Sequence, residues 1–402
     1  MSLSRRHLSL LLGGLLVSEI GTGATDVVVA WLVLSHTGSA ALTGLVWASS
    51  SLAMLIGGPL GGYVADRLPR RHAMIAADGA RVVLVGGLGI ALLTGWFSLP
   101  LILAIVFCNA FLTLLFEGAL QALIPALAGE QLEQFNGRVQ AVRMLGNMLG
   151  PIMGGVLLAA TAYPGAALVI DAATYLACLG AVVAIHVEEP RRALSMGRSA
   201  LFAGLATLGS VPALRRLTIF AVALAFVFPL IALSLPLIAR STDTGGLGYG
   251  VLSTLFLIGM AVGGLAGAWL SERLGGDRVI VYGLVGEAVG TIALALSHTS
   301  YPLAVAGAFW LGLAVGPIEV VFMSGFQRAA PPELLGRAMT QLISLNAIVR
   351  APAYAVGGVL FGLAGIAPML LACAVAELIG AVVYAATASR TAPTLASSPA
   401  RS

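Results

Sequence analysis

Residues 57–71 read GGPLGGYVADRLPRR, a long apolar run that closes in a knot of charge. Four glycines and a proline stand directly before Asp66 and the arginines Arg67, Arg70 and Arg71. Gly57 with Gly61, and Gly58 with Gly62, have the GxxxG spacing that lets one membrane helix approach another closely. Asp66 and the arginines belong at the water boundary, where a helix leaves the hydrocarbon. The stretch therefore predicts the end of one membrane helix and a tight charged loop to the next.

The rest of the chain agrees with that solvent. Its 402 residues are 59% hydrophobic and 9% charged, with a mean hydropathy of +1.00. Soluble domains carry about 25% charged residues, so too little polar side chain is present to clothe a water-exposed globule. A helix crosses the hydrocarbon core in roughly 20 apolar residues, and lipid obliges each span to satisfy its own backbone. The apolar runs are continuous rather than alternating, which predicts an all-α integral membrane protein and not a β-barrel.

Several chemistries are excluded at the same stage. All 21 basic residues are Arg, so neither a P-loop lysine nor a Schiff-base lysine is present. Cys108, Cys178 and Cys373 lie in apolar runs at unrelated spacing and read as small buried hydrophobes, not as a disulfide or metal set. No HExxH or GxSxG occurs. The expectation is a protein that is not an enzyme and has no metal, cofactor or nucleic-acid partner. The opening MSLSRRHLSLLLGGLLVSEIG has the basic start of a secretory signal, but Glu19 interrupts the run and apolar sequence continues to Leu34. The first span is expected to remain.

Apolar windows fall near 9–34, 43–65, 73–94, 99–122, 138–160, 165–187, 216–239, 248–270, 279–297, 302–324, 338–361 and 367–387, which makes twelve spans. If both termini are cytoplasmic, 17 of the 21 arginines fall in inside segments, only Arg240 lies in an outside loop, and Arg81, Arg143 and Arg350 lie within spans. The positive-inside rule selects that orientation and places the chain in a cell membrane, a bacterial cytoplasmic membrane by expectation. The +4 net charge then reads as topology.

The chain also reads as doubled. At an offset of 206 residues Gly57, Gly58, Gly61, Asp66, Arg67 and Leu68 fall on Gly263, Gly264, Gly267, Glu272, Arg273 and Leu274, Arg81 falls on Glu287, and Asp171 on Glu377. At an offset of 202, Glu117 falls on Glu319. Acids repeated inside membrane spans are costly coincidences, and parallel repeats of a six-helix unit are a known transporter plan. The expected organisation is a six-helix bundle over 1–187, a cytoplasmic linker over 188–214 and a second bundle over 215–402.

With the doubling in view, GGPLGGYVADRLPRR resembles the loop between spans two and three of the major facilitator superfamily. That resemblance implies a cytoplasmic conformational latch at Gly62, Asp66, Arg67, Arg70 and Arg71. The second copy, GLAGAWLSERLGGDR, is degenerate at Gly275, Gly276 and Asp277. From Gly137 the fifth span reads GRVQAVRMLGNMLGPIMGG, which is similar to the antiporter motif of drug exporters in that superfamily. The resemblance implies that Gly146, Gly150, Pro151, Gly154 and Gly155 form a kinked seam between the halves. AADGARVVLV, ALQALIPAL, VIDAATYL and FQRAAPPELLGRAM resemble the twelve-span branch that includes macrolide and siderophore exporters. Span four departs from the pattern: it has Glu117 where many proton-coupled relatives carry an arginine and proline signature.

Intramembrane ionisable groups point to chemistry. Glu19 and Asp26 are seven apart on one face of the first span, with Thr22 between them, and this span lines the central cavity in the fold that is resembled. A carboxylate that faces a cavity can exchange a proton for a cationic substrate, so Asp26 is the first candidate for coupling and Glu19 the second. Glu287 is a further cavity candidate. Asp78, Arg81, Glu117 and Arg143 are expected to form one charge network, with Glu319 and Arg350 as its C-terminal analogue. The resulting expectation is a functional monomer that exports amphipathic small molecules, drug-like or secondary metabolites, by proton antiport driven by the proton gradient. A proton- or sodium-coupled symporter, a lysolipid flippase and a non-transporting membrane scaffold remain open at this point.

Overall fold

The computed structural model describes the backbone of residues 5–67, 69–128, 131–161, 163–185, 208–209, 211–331 and 334–391. Twelve long helices follow one another: α1 (Arg5–Thr37), α2 (Ala40–Arg67), α3 (Arg70–Leu93), α4 (Leu99–Ala128), α5 (Leu132–Thr161), α6 (Pro164–Ala184), α7 (Pro212–Ser241), α8 (Gly245–Leu274), α9 (Gly276–Leu296), α10 (Tyr301–Ala329), α11 (Leu335–Ala364) and α12 (Ile366–Thr391). All twelve are long and apolar enough to cross a membrane. No strand occurs among the described residues. Leu363, Val382, Val83 and Leu265 are among many large apolar side chains left exposed on the outside, a surface that water would not tolerate and lipid accepts.

Most helices extend several residues past their apolar windows. α5 begins at Leu132 and α10 runs to Ala329, because the helix ladder continues through the polar interface after the hydrocarbon ends. The expected break between the tenth and eleventh spans falls between Ala329 and Leu335. The linker expected over 188–214 lies largely outside the described residues, which resume as a helix at Pro212.

Turns between successive helices are short. Gly38 takes φ +66° between α1 and α2 and lies against the Arg240 guanidinium, where a Cβ would come within 3.3 Å of Nη2. Gly275 takes φ +84° at the bend from α8 to α9. Both are left-handed conformations that favour glycine.

Within each half the helices pair in the same way: α1 packs on α5 and α6, α2 on α4, and α3 on α4 and α6; α7 packs on α11 and α12, α8 on α10, and α9 on α10 and α12. Glycines set the tightest of these approaches. Gly263 packs against Leu313 and Pro317 of α10, and in return Gly312 and Gly316 face the Phe256 and Met260 carbonyls of α8. In the first half, Gly57 of α2 meets Leu114 and Phe111 of α4. Gly57 makes a close approach of the kind that the GxxxG spacing predicts, while the surroundings of Gly58, Gly61 and Gly62 are not among those described.

The halves join through α2 with α11 and α5 with α8. Val27 and Ala30 of α1 and Ala40 of α2 share one buried apolar cluster with Leu230, Ile238 and Phe361 of the second half. Gly44 faces the Tyr354 carbonyl, Gly358 faces Ala40, and Gly155 faces Gly246 and Leu247. Arg240 Nη1 donates to the Leu34 carbonyl at 3.1 Å. All these contacts lie toward the end of the bundle that carries the 37–40, 241–245 and 364–366 turns.

Adjacent glycines of α8 provide a test of this packing. A Cβ on Gly263 would stand 3.0 Å from both Leu313 C and Pro317 Cδ, whereas the nearest atom to a Cβ on Gly264 is Val320 Cγ2 at 3.7 Å. Gly263→Ala is expected to lose roughly 1–3 kcal/mol, as overpacked cores do, seen as a lower melting temperature of the detergent-purified protein. Gly264→Ala is expected to melt with the parent.

Candidate functional site

The first half holds a buried polar knot. Arg81 of α3 is 3% exposed; its Nη1 donates to Asp78 Oδ1 at 3.3 Å, its Nε to Asn109 Oδ1 of α4 at 3.2 Å, and its Nη2 to Thr22 Oγ1 of α1 at 3.0 Å. The guanidinium lies over the Tyr175 ring of α6, 3.7 Å from its centroid. Thr22 Oγ1 and Tyr175 Oη are 3.0 Å apart. Beside this, Thr25 Oγ1 donates to Asp171 Oδ2 at 2.6 Å, and Thr174 Oγ1 to Asp171 Oδ1 at 3.0 Å. Four helices are thus tied by one cation and its acceptors. Arginine suits this role because its planar fork serves several acceptors while its face stacks on an aromatic ring.

The expected single network of Asp78, Arg81, Glu117 and Arg143 divides into two. Asp78 pairs with Arg81, and Glu117 of α4 pairs separately with Arg143 of α5. Glu19 of α1 is half-buried between the two groups, within electrostatic reach of both Arg143 and Arg81. Its Cβ also abuts Gly146. Glu19 is thus the bridge that spacing alone did not show.

Asp26 behaves differently. Ala24 and Thr25 before it and Val27 to Ala30 after it are buried, yet Asp26 itself is exposed. It lies deep in the bundle, with Asp171, Arg81 and Glu19 in electrostatic range and Tyr249 of α8 in range across the joint. Exposure at this depth places the carboxyl at an opening in the bundle close to Tyr249 of the second half. Thr22, expected on the same face, is turned into the Arg81 knot instead.

The glycine motif of α5 also divides. Gly146, Gly150 and Gly154 lie on one stripe that faces α1: Gly150 lies against Gly23, with a Cβ there only 2.7 Å from Gly23 Cα, and Gly154 lies against Ala24 and Val27. Only Gly155, with the Pro151 carbonyl against Gly250, meets the second half. The seam that the motif implies between the halves is mostly a seam within the first half.

Of the latch residues, Arg70 Nη1 donates to the Ala122 carbonyl of α4 at 2.6 Å, and Arg71 Nη2 to the Val183 carbonyl of α6 at 2.7 Å. Gly62, Asp66 and Arg67 have side chains outside the described residues. At Arg71's register position in the second half, Asp277 accepts from Arg216 at 2.8 Å and from Tyr384 Oη at 3.0 Å.

In the second half, Glu287 of α9, Glu319 of α10, Arg350 of α11 and Glu377 of α12 line one cavity of about 400 Å³ with Phe220, Phe228, Phe322, Met260 and Met339. Glu319 and Arg350 share this cavity but form no ion pair with each other, so the expected analogue of the first-half network is not assembled. Glu287, expected to face a cavity, does line one, but it lies within the second half; the rest of the wall was not marked by the sequence, because most of it reads as ordinary apolar helix. Asn109, Thr25 and Tyr175 were likewise missed as partners, being neutral groups on three different helices.

Twelve spans in two similarly packed sets of six define a multi-pass membrane protein of the transporter plan built from parallel six-helix repeats. The chain belongs to the transmembrane secretion effector family of the major facilitator superfamily, which matches it over residues 3–400. It is 26% identical over 381 residues to the multidrug efflux pump Tap of Mycolicibacterium fortuitum, covering 90% of this chain and 89% of that one. It is also 26% identical over 330 residues to the enterobactin exporter EntS of Salmonella choleraesuis, covering 80% and 77%. The crystal structure of the nucleoside transporter NupG superimposes with a TM-score of 0.74 at 14% identity, covering 95% of this chain and 98% of that one. The protein is therefore a multi-pass major facilitator transporter of the cell membrane, and not an enzyme.

Removal of the knot's only guanidinium leaves Asp78 buried without its counter-charge. Arg81→Leu is expected to cost about 3–5 kcal/mol, as a broken buried pair does, and to lower the melting temperature sharply. Arg143→Leu, whose pair is partly solvated, is expected to cost about 1 kcal/mol or less. Equal losses in the two variants would contradict the division into two networks.

Proposed function

We propose that this protein exports amphipathic small molecules, drug-like compounds or secondary metabolites, by proton antiport with alternating access. The observation that carries the reading is Asp26: an exposed carboxyl in an otherwise buried stretch of α1, close to the joint between the halves. Such a group can hold a proton or face a cationic substrate, but not both. Competition for one charge is enough to couple the two fluxes, since each occupant favours its own conformation. The efflux activities named for Tap and EntS support the outward direction.

The two bundles, 1–187 and 215–402, serve as the rocking units, and both termini are placed in the cytoplasm by the arginine distribution. With that orientation, the joined end of the bundle faces outward and the cavity opens inward. Glu19, between the Arg81 and Arg143 groups, is the natural relay from Asp26 toward the inner end. Gly62, Asp66, Arg67, Arg70 and Arg71 act as the inner latch. The protein works as a monomer, with the proton gradient as its energy source and no cofactor.

The test uses purified protein in liposomes with a pH-sensitive dye inside. An imposed pH gradient is expected to dissipate when a transported lipophilic amine is added and to persist with Asp26→Asn, a loss of at least about tenfold in initial rate. Glu19→Gln is expected to slow exchange without abolishing it. Substrate-dependent proton flux that is unchanged in Asp26→Asn would refute proton coupling at this site.

A further inference from the structure

The duplication places the charged knot of the first half and the cavity of the second half at the same positions of the repeated unit. At the 206-residue offset, Thr22 corresponds to Phe228, Thr25 to Ile231, Arg81 to Glu287 and Asp171 to Glu377; at the 202-residue offset that relates α4 to α10, Asn109 corresponds to Leu311. Each of those five counterparts lines the cavity. Tyr175, which fills the first-half niche beneath Arg81, corresponds to Ala381. The first half fills this niche with a guanidinium and a tyrosine ring. The second half leaves it hollow.

The charges differ in the same way. In the first half Asp171 has Arg81 in electrostatic range. In the second half the arginine is replaced by Glu287, so two carboxyls, 6% and 2% exposed, face one niche. Glu377 Oε1 accepts only a 3.2 Å hydrogen bond from Thr291 Oγ1, and Glu377 Oε2 is buried with no partner. The other charged groups on the wall are Glu319 and Arg350, which offset one another in sign. Neither forms an ion pair with the Glu287 and Glu377 carboxyls, and Arg350 Nε is itself buried without an acceptor. Buried acids are normally paired. A cation between them would supply the counter-charge that Arg81 supplies in the first half.

We propose that the second-half cavity is a binding site for an organic cation, an amine or guanidine on an apolar or aromatic body, whose charged head occupies between Glu287 and Glu377 the place that Arg81 fills in the first half. The volume of about 400 Å³ is within the range of small-molecule sites. Phe228 and Phe322 offer faces for cation–π contact, and Met260 and Met339 adapt to varied shapes. This inference rests on the transport reading, names its substrate class and adds a second cation site in the second half, distinct from the position at Asp26 where substrate and proton compete.

The test measures equilibrium binding to the purified full-length protein at fixed pH, without a gradient, by fluorescence of dansylcadaverine and of its neutral analogue with a hydroxyl in place of the amine. The amine is expected to bind at least tenfold more tightly than the alcohol. Glu287→Gln and Glu377→Gln, each keeping the shape of the side chain, are expected to weaken the amine at least tenfold and to leave the alcohol unchanged. Leu224→Trp, which narrows the cavity without touching a charge, is expected to weaken both probes. Equal affinity for amine and alcohol, or unchanged amine affinity in both glutamine variants, would overturn the site. Proton flux that depends on Asp26 alongside unaltered binding in the glutamine variants would sink the site and keep the antiport reading. Glutamate-dependent binding without any proton flux would do the reverse.

Discussion

Hydrocarbon supplies no hydrogen bonds, so each polar group in these twelve helices must find its partner inside the bundle. Arg81 shows how far that constraint reaches. One guanidinium meets acceptors on α1, α3 and α4 and stacks on α6, so four helices are positioned by one charge. The apolar packing of the first half, from Met74 and Ala77 to Cys178 and Val182, is arranged around helices whose rotation this knot has already fixed. Where the second half lacks the cation, the same arrangement yields a cavity. Equivalent positions of the two halves thus hold a stacked guanidinium in one case and a cavity lined by carboxyls and apolar side chains in the other.

Much of the fold was legible in the sequence. Length and continuity of the apolar runs gave the twelve spans, and Gly57, Gly263 and Gly267 marked close helix approaches because a missing Cβ is itself the signal. The i, i+3 spacing of Asp78 and Arg81 gave their pairing, since neighbours on one helix face are fixed by local geometry. The helix partners of a residue are fixed by rotation about the axis, which no single helix encodes. For that reason the antiporter-like glycines were placed between the halves, although Gly146, Gly150 and Gly154 face α1 and only Gly155, about 100° further round the helix, reaches α8.

The site was less legible than the fold. Asp26 could be singled out, because an acid in a span is conspicuous, but its exposure depends on a space formed by other helices. Glu287 marked the second-half cavity only by its charge, and the extent of that cavity was hidden for a different reason. Phe228, Ile231 and Leu311 carry no chemical mark, and what matters is the volume that they leave open. Only comparison of the two halves shows that each stands where the first half has a polar group.

The contacts that join the halves have a mechanical consequence. Gly44 against the Tyr354 carbonyl, Gly358 against Ala40, Gly155 against Gly246 and Gly250 against Pro151 are backbone on backbone. Helices that interlock through side chains must lift ridges out of grooves before they can turn. At these four points the joint has no ridges to interlock, so what interlocks the halves is the neighbouring side chains, Val27 and Ala30 with Leu230, Ile238 and Phe361, and the Arg240 guanidinium on the Leu34 carbonyl. Any separation of the halves at this end would therefore uncover apolar side chains and one arginine, while the glycine contacts would part without breaking a side-chain interlock.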